Sequence, residues 1–591
     1  MTPSREETRT TSPTAQDPAR LPIVVAVTGH HDLLPEQMPA LTEAVRGVLR
    51  RLSGRYPTTT LVLLTSLAAG AERMAARVAV EEKIEYRVPM PLPESEYRRE
   101  FAAGDSEFDE LLAGATAKHV VPDPEGPGAL AGDVERRAHQ RALVGAYAAR
   151  VAHVFVALWN GKSMDVDTGR IVDFRLRGVP PKYLSRSSVL DAPETGPVYH
   201  VVAGRVSDPV TLHAPGSLRI LISLDRTIEE RNDPLGKLCR SIDAFNRDLE
   251  RLDLSSLGEG LPIERLRTIA SRLAVYFQKQ FRRALRMLFV ATAFAAITLA
   301  VFAHVLDPQL WLVYIYAGAT CVAAYAFWLA RRGRWQDRLL EYRMLDMGLR
   351  VQRMWDLAGL ERSVADHYLR RQRSELDWIR DAIRTVHELD RAVRPFAPVD
   401  PELAIQAVRE FVSAQGGFFA KSAQANEGED AKFKRVSGAA LLLSLVASAV
   451  MLVTVSVLVF RKIPIDASAP ALSFFGLLAR HLNLEDSASH ELTRWMRDVP
   501  LMATAIFTIA AALFHEYTRR NAYHAQARRY QAMRDLYARA QSVLEESARE
   551  PLAERLSVAR DIALEVGREA LAENVEWGLT YRELPIELLR V

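Results

Sequence analysis

Two stretches near the amino terminus combine hydroxyl, glycine and charged residues at spacings that suit binding of a phosphate. The first, VVAVTGHHD (24–32), runs apolar and breaks at Thr28, Gly29 and His30. Gly29 admits backbone angles and close approaches that a side chain forbids. The second, LLTSLAAGAERMA (63–75), passes from an apolar run to Thr65 and Ser66, and then to Gly70 near the start of a helix. The free amides and dipole of such a helix favour an anion. N-capping by Ser66 and tight packing at Gly70 account for the same residues, and both readings stand at this point. No complete GxGxxG or GxxxxGK(S/T) pattern occurs, which argues against a Rossmann dehydrogenase and a P-loop NTPase. His30 and His31 raise metal binding, but adjacent side chains point in different directions and no carboxylate cluster is spaced to complete a site. Hydrogen bonding to a ligand or within the loop is expected instead, with no metal and no catalytic residue assigned.

The surrounding chain supplies elements able to position these loops. The runs IVVAVTG, TLVLLTS, IEYRVPM, KHVVP, HVFVALWNG and PVYHVVAG are apolar almost throughout, as strands of a parallel sheet covered on both faces must be. Between them, QMPALTEAVRGVLRRLSGRY, GAERMAARVAVEE, EFDELLAGA and VERRAHQRALVGAYAARVA have helical character. This alternation predicts a doubly wound α/β domain over residues 21–205. Ligands of such sheets sit beyond the carboxyl ends of the strands, where both phosphate-suited loops fall.

A chain of 591 residues is too long for one core. Residues 1–20 are polar without an apolar centre and are expected to form a disordered tail, not a secretory signal. A net charge of +3, from 76 basic and 73 acidic side chains, points to no nucleic-acid partner. The two cysteines, Cys239 and Cys321, exclude a disulfide framework.

Residues 287–306 and 310–330 are uncharged apolar runs of the length that crosses a bilayer, joined at Asp307-Pro308-Gln309. Residues 436–460 form a third such run and residues 499–514 a shorter fourth. Basic clusters flank all four: Arg282, Arg283 and Arg286; Arg331, Arg332 and Arg334; Lys432, Lys434 and Arg435; Arg519 and Arg520. With alternating spans these lie on one side, the cytoplasm by the positive-inside bias, together with both termini. Arg461 and Lys462 are the exceptions. The spans contain none of the ionisable groups that proton relays, ion-coupled transporters and voltage sensors require. An anchor remains, or a pore assembled from several chains and lined by residues such as Thr292, Thr298, Ser444, Ser448, Thr454 and Ser456, all of which also suit ordinary helix packing. Residues 206–282 are expected to form a linker and helical stalk, 283–435 a first membrane hairpin with cytosolic helices, and 436–591 a second. Setting Tyr342 over Tyr530 also sets Trp335 over Tyr523, so the hairpin and its following helix read as a weak repeat.

The ordered series VTGHHDL, LLTSLAAGAERMAARVA, VPMPLPESEYRREF and VFVALWNG resembles the SLOG (LSDAT) superfamily, nucleotide-binding Rossmann-like domains related to the LOG phosphoribohydrolases and to the amino-terminal region of TRPM channels. The membrane hairpin continuing into YRMLDMGLRVQRMWDLAG is similar to SLATT modules, two-span proteins of predicted bacterial conflict systems. Together the resemblances cover most of the chain. They imply a Rossmann-like domain followed by an all-α membrane domain of about four transmembrane helices, in a bacterial inner-membrane homo-oligomer. They also imply a nucleotide-derived ligand and a pore-forming effector role in antiphage defence. Carried over by position, Thr28, Gly29 and His30 match the first ligand loop. Thr65, Ser66, Gly70, Glu72 and Arg73 match the phosphate-facing turn and helix, and Trp159, Asn160 and Gly161 close the pocket. LOG enzymes carry a paired-glycine catalytic loop where this chain reads SMDVDTGRIVDFRL, so catalysis is not implied. Arg170 and Asp173 are expected in a solvated charged loop. A membrane-tethered nucleotide hydrolase or phosphoribohydrolase and a passive scaffold are the rival readings.

Overall fold

A computed structural model describes residues 20–101, 105–123, 134–162, 167–184, 194–211, 213–224, 226–229, 232–253, 262–304, 310–368, 376–393, 399–461, 488–521 and 523–582. The amino-terminal tail, the first hairpin turn at 305–309 and most of the second hairpin connection, 462–487, lie outside them. The chain forms two units. The first contains residues up to Leu273 with Glu341–Ala404 and Ala563–Val575; the second contains Ala274–Leu340, Ile405–Ile562 and the residues from Glu576.

The first unit is a mixed α/β sheet domain. Its strands are β1 (Ile23–Gly29), β2 (Leu61–Leu64), β3 (Glu85–Met90), β4 (Ala117–Val120), β5 (Val154–Trp159), β6 (Val198–Val202), β7 (Leu218–Ser223) and β8 (Arg226–Ile228). Their order is β4-β3-β2-β1-β5-β6-β7-β8, with the first six parallel and β7 and β8 antiparallel. Every residue of β2, β5 and β6 is buried, the environment their unbroken apolar runs require. Helices α1 (Met38–Arg55), α2 (Ala71–Glu81), α3 (Glu94–Tyr97), α4 (Ser106–Gly114), α5 (Val134–Val151) and α6 (Asp167–Arg177) lie between the parallel strands. In α1 the buried Leu41, Val45, Val48, Leu49 and Leu52 recur at helical spacing and make one apolar stripe. The chain lays β2, β3 and β4 to one side of β1 and then returns to lay β5 and β6 on the other. The strand order therefore switches direction between β1 and β5, the position at whose carboxyl end ligands of open α/β sheets bind.

Two expectations for the sheet domain are corrected. Residues 206–282, read as linker and stalk, contribute β7, β8 and α7 (Leu235–Asp248) to the sheet domain. The antiparallel return needs no crossover helix, so the strand–helix alternation that marked the other strands is missing there. Helix α7 buries Leu235, Cys239, Ile242 and Phe245, and Asn246 at its end clasps the backbone of Leu21 from both sides, at 2.9 and 2.8 Å. The segment holding Arg170 and Asp173, read as a solvated loop, is helix α6. Val172, Phe174 and Leu176 are buried, Ile171 packs on Gly145 of α5, and Asp173 pairs with Arg177 one turn on at 3.0 Å.

Helix α8 (Pro262–His304), α9 (Leu310–Arg332), α10 (Trp335–Leu357), α11 (Asp377–Val393), α12 (Pro401–Arg461), α13 (Ala488–Asn521), α14 (Tyr523–Glu546) and α15 (Leu552–Arg582) complete the described chain. Residues 341–404, expected with the first membrane hairpin, belong to the sheet unit, where α11 packs on β4 and α7. Four helices, α8, α9, α12 and α13, are long and apolar enough to cross a membrane. Large apolar side chains such as Phe294, Val290, Leu442, Leu445 and Leu452 stand exposed along them, a surface that water does not tolerate in so continuous a patch and lipid does. These features point to membrane association. Within the second unit, Ser444 shares a 2.7 Å hydrogen bond with Thr508 and Ser448 donates to Thr504 at 3.4 Å, so hydroxyls join α12 to α13 as packing contacts. The aligned residues Trp335 and Tyr523 are the first residues of α10 and α14, and both Tyr342 and Tyr530 are buried.

Candidate functional site

The three loops carried over from the sequence meet at the carboxyl end of the β1–β5 seam, but most of their groups are engaged with one another. Thr28 pairs with Ala157 and Gly29 with Leu158, and the His30 N–H donates to the Leu158 carbonyl at 3.1 Å. A Cβ on Gly29 would stand 2.5 Å from Ala71 Cβ and 2.7 Å from Leu158 O. The first residue of α2 thus rests on the end of β1, and Gly29 serves that contact. Gly70 has φ +76°, and a Cβ there would stand 2.6 and 2.5 Å from the carbonyl oxygens of His30 and His31. The Ala71 N–H donates to His30 O at 3.1 Å. Both glycines, expected to let a ligand approach, seat α2 against the neighbouring loop.

Thr65, Ser66, Glu72 and Arg73 form one locked turn. Ser66 donates both its N–H, at 2.7 Å, and its hydroxyl to the Glu72 carboxylate, and Thr65 Oγ1 donates to Glu72 O at 3.1 Å. Burial pushes the Glu72 carboxyl up from its ordinary value, against the pull of the Ser66 donors. Ser66 does not cap α2, whose N-cap is Gly70 with no side-chain bond. Arg73 is buried; its Nε donates to Leu67 O at 3.0 Å, its Nη1 lies 2.6 Å from Asp105, and its guanidinium covers Phe101 at 4.4 Å. That hydrogen bond holds the Asp105 carboxyl low. The guanidinium is thus held by Leu67, Asp105 and the Phe101 ring, while its buried Nη2 has no acceptor.

At the seam itself the buried His30 Nε2 accepts the Asn160 N–H at 3.1 Å. Burial, with the nearby Arg205 charge, lowers the His30 pKa to about 4, so the ring is neutral and able to accept. Trp159 O accepts from the Ala203 N–H at 3.0 Å and lies 2.8 Å from His200 Nε2, and Gly161 turns the chain at φ +80°. Residues that the sequence reading passed over complete the mouth. Lys162 Nζ reaches Asp208 at 2.8 Å, the Asn160 amide donates to the same carboxylate at 3.2 Å, and Arg205 Nε reaches Asp32 at 3.1 Å. Ser207 adds a 3.0 Å bond to Asp32. Lys162 beside Asp208 holds that carboxyl below the usual carboxylate range. Gly204-Arg205 at the end of a predicted strand was the available signal, and closing the domain at 205 left Asp208 outside it. The opposite end of the seam has a matching clasp: His153, just before β5, accepts the Val24 N–H on Nδ1 at 2.9 Å, and burial lowers its pKa to about 3.

Chemically, the carboxyl end offers two cations, Lys162 and Arg205, each neutralised by one carboxylate, beside a polar Asn160 amide. No protein-family model matches the chain, and no curated protein or solved structure matches it.

Proposed function

We propose that this is a multi-pass membrane protein whose α/β unit binds a nucleotide-derived ligand at the β1–β5 switch and thereby biases an oligomeric helical pore. One observation carries the reading: the two ion pairs, Asp32–Arg205 and Lys162–Asp208, stand on the loops that follow β1, β5 and β6. A phosphate can replace a carboxylate on either cation. The Lys162–Asp208 pair is more than a third exposed on both sides, and such pairs contribute only about 0–1 kcal/mol, so a ligand phosphate meets little resistance in displacing it. The likeness of the loop series to SLOG domains, and of the hairpin units to SLATT modules, supports a nucleotide ligand and a membrane effector in bacterial defence. The four basic clusters favour a cytoplasmic α/β unit on an inner membrane. Ligand binding shifts the pore only as far as its affinity differs between closed and open forms.

The test is to purify the full chain in detergent, identify co-purified nucleotides by mass spectrometry, and titrate it with ATP and NAD. Binding of one of these is expected, about tenfold weaker in Lys162→Gln and tighter in Asp208→Asn, which removes the competing carboxylate. Dye release from liposomes carrying the protein should then depend on that nucleotide. Absence of any bound or binding nucleotide would overturn the sensor reading, and binding without a change in release would overturn the pore.

A further inference from the structure

We infer that the sheet unit holds a second binding site, at the amino end of its strands, that takes a compact anion of the phosphate-monoester class. A cavity of about 550 Å³ lies there, lined by His153 and Pro197 at the entries to β5 and β6 and by residues of α7 and α11. Its size falls within the roughly 300–1,000 Å³ of small-molecule pockets. The wall is a network of arginines and carboxylates. Arg384 is bound to Glu194 and stands 3.5 Å from both Asp366 and Asp381. Arg150 lies 3.1 Å from Asp366, and Arg380 lies 3.9 Å from Glu194.

Two lining cations are left over. Arg175 gives its Nη groups to the carbonyls of Ala149 and His153, at 2.8 and 2.9 Å. Among the described residues neither Arg175 nor Lys237 has a carboxylate within ion-pair distance. Gly196 makes room for the Arg175 guanidinium, which an added Cβ would meet at 2.6 Å. With Asp377 4.0 Å from Arg380, the five cations of this wall exceed its carboxylates, and a bound anion offsets the excess.

The second signal is a set of unmet donors. The Nε groups of Arg175, Arg380 and Arg384 and the indole Nε1 of Trp378 are buried N–H groups with no acceptor, and Trp378 is only 2% exposed. Buried donors are nearly always paired in native proteins, and here all four belong to residues lining one cavity. The partner they call for is an acceptor with several oxygens, and guanidinium forks match those of a phosphate. Beyond the phosphate, the walls of Leu238 and Pro234 offer an apolar surface for a small organic group.

This site is separate from the switch-point crevice, and one experiment distinguishes them. The full chain in detergent micelles is titrated with inorganic phosphate and with AMP, following thermal unfolding and tryptophan fluorescence, against sodium chloride of matched ionic strength. A saturable rise in melting temperature is expected with AMP, and with inorganic phosphate if the phosphate alone suffices. Lys237→Glu, at the exposed rim, should weaken the response at least tenfold. Ser241→Phe, which fills the cavity and leaves every ion pair in place, should abolish it, while Lys162→Gln should leave it unchanged. A response no larger than that of sodium chloride would mean that solvent fills the cavity, and would overturn the site. So would a response that Lys237→Glu leaves intact, a readout that decides the matter even if Ser241→Phe does not fold. Loss in Lys162→Gln alone would overturn it while leaving the crevice standing.

Discussion

At the carboxyl end of the β1–β5 seam a neutral imidazole, His30, accepts the N–H of Asn160; at the amino end another, His153, accepts the N–H of Val24. From this shared device the two ends diverge. At the carboxyl end, α2 sits on Gly29, Glu72 and Arg73 lock the neighbouring turn, and two ion pairs close the mouth. At the amino end the arginine network encloses a cavity of about 550 Å³ with donors to spare. Strand order reverses at the carboxyl end, yet the large unfilled volume lies at the amino end, where side chains from distant segments fail to fill the space. A ligand at the first end must displace carboxylates, whereas at the second, among the described residues, Arg175 and Lys237 have no carboxylate within ion-pair distance.

The largest effect is expected from Arg384→Ala. Arg384 is 4% exposed, and its loss leaves Glu194 and Asp366 without their central cation. Removing one partner of a buried pair typically costs about 3–5 kcal/mol, to be read from urea unfolding of the full chain. A change under about 1 kcal/mol would mean that the network is solvated rather than structural.

Gly29→Ala tests the packed end. The added methyl meets Ala71 Cβ and a backbone carbonyl that cannot swing away, so a loss of about 1–3 kcal/mol is expected from overpacking. Gly70→Ala, at positive φ against two carbonyls, should cost a similar amount. Full stability in both variants, together with loss of nucleotide binding, would return these glycines to the ligand-approach role.

Acid should loosen both clasps. A histidine whose folded pKa is depressed stabilises the fold above its unfolded value, near 6.5, and loses that contribution as pH falls towards the folded value. For His30 the window runs from 6.5 down to about 4, and for His153 down to about 3. The melting temperature should therefore fall as pH drops from 6.5 to 4, and His30→Gln should flatten part of that decline. A profile unchanged by His30→Gln would remove the first clasp from the comparison.

The smallest change in stability is expected from Lys162→Met, about 0–1 kcal/mol, because its pair with Asp208 is exposed. A loss above about 2 kcal/mol in thermal unfolding would show that the mouth is structural, and not the displaceable cover that the proposed ligand requires.

Much of the fold was legible before any coordinates. Strands β1, β2, β5 and β6 announced themselves as short apolar runs such as VFVALW, β3 and the half-exposed β4 by their place in the strand–helix alternation, and α1 by the spacing of Leu41, Val45 and Val48. Strands β7 and β8 did not, because LRILIS followed no helical crossover. The candidate site was half legible. His30 and Asn160 do meet, but Asp32, Lys162, Arg205 and Asp208 have no local signature, being ordinary charged residues that matter only through partners up to 175 residues away.

Taken alone, the amino-acid sequence determined the parallel core and the four helices able to cross a bilayer, since burial in protein or in lipid follows from local composition and period. Tertiary structure alone decided that Gly29 and Gly70 receive α2 and that Arg73 belongs to Asp105. It alone also decided that arginines from α5, α6 and α11 surround an unfilled cavity. Those outcomes depend on which remote segments converge and how completely they fill the space between them, and no window along the chain records that.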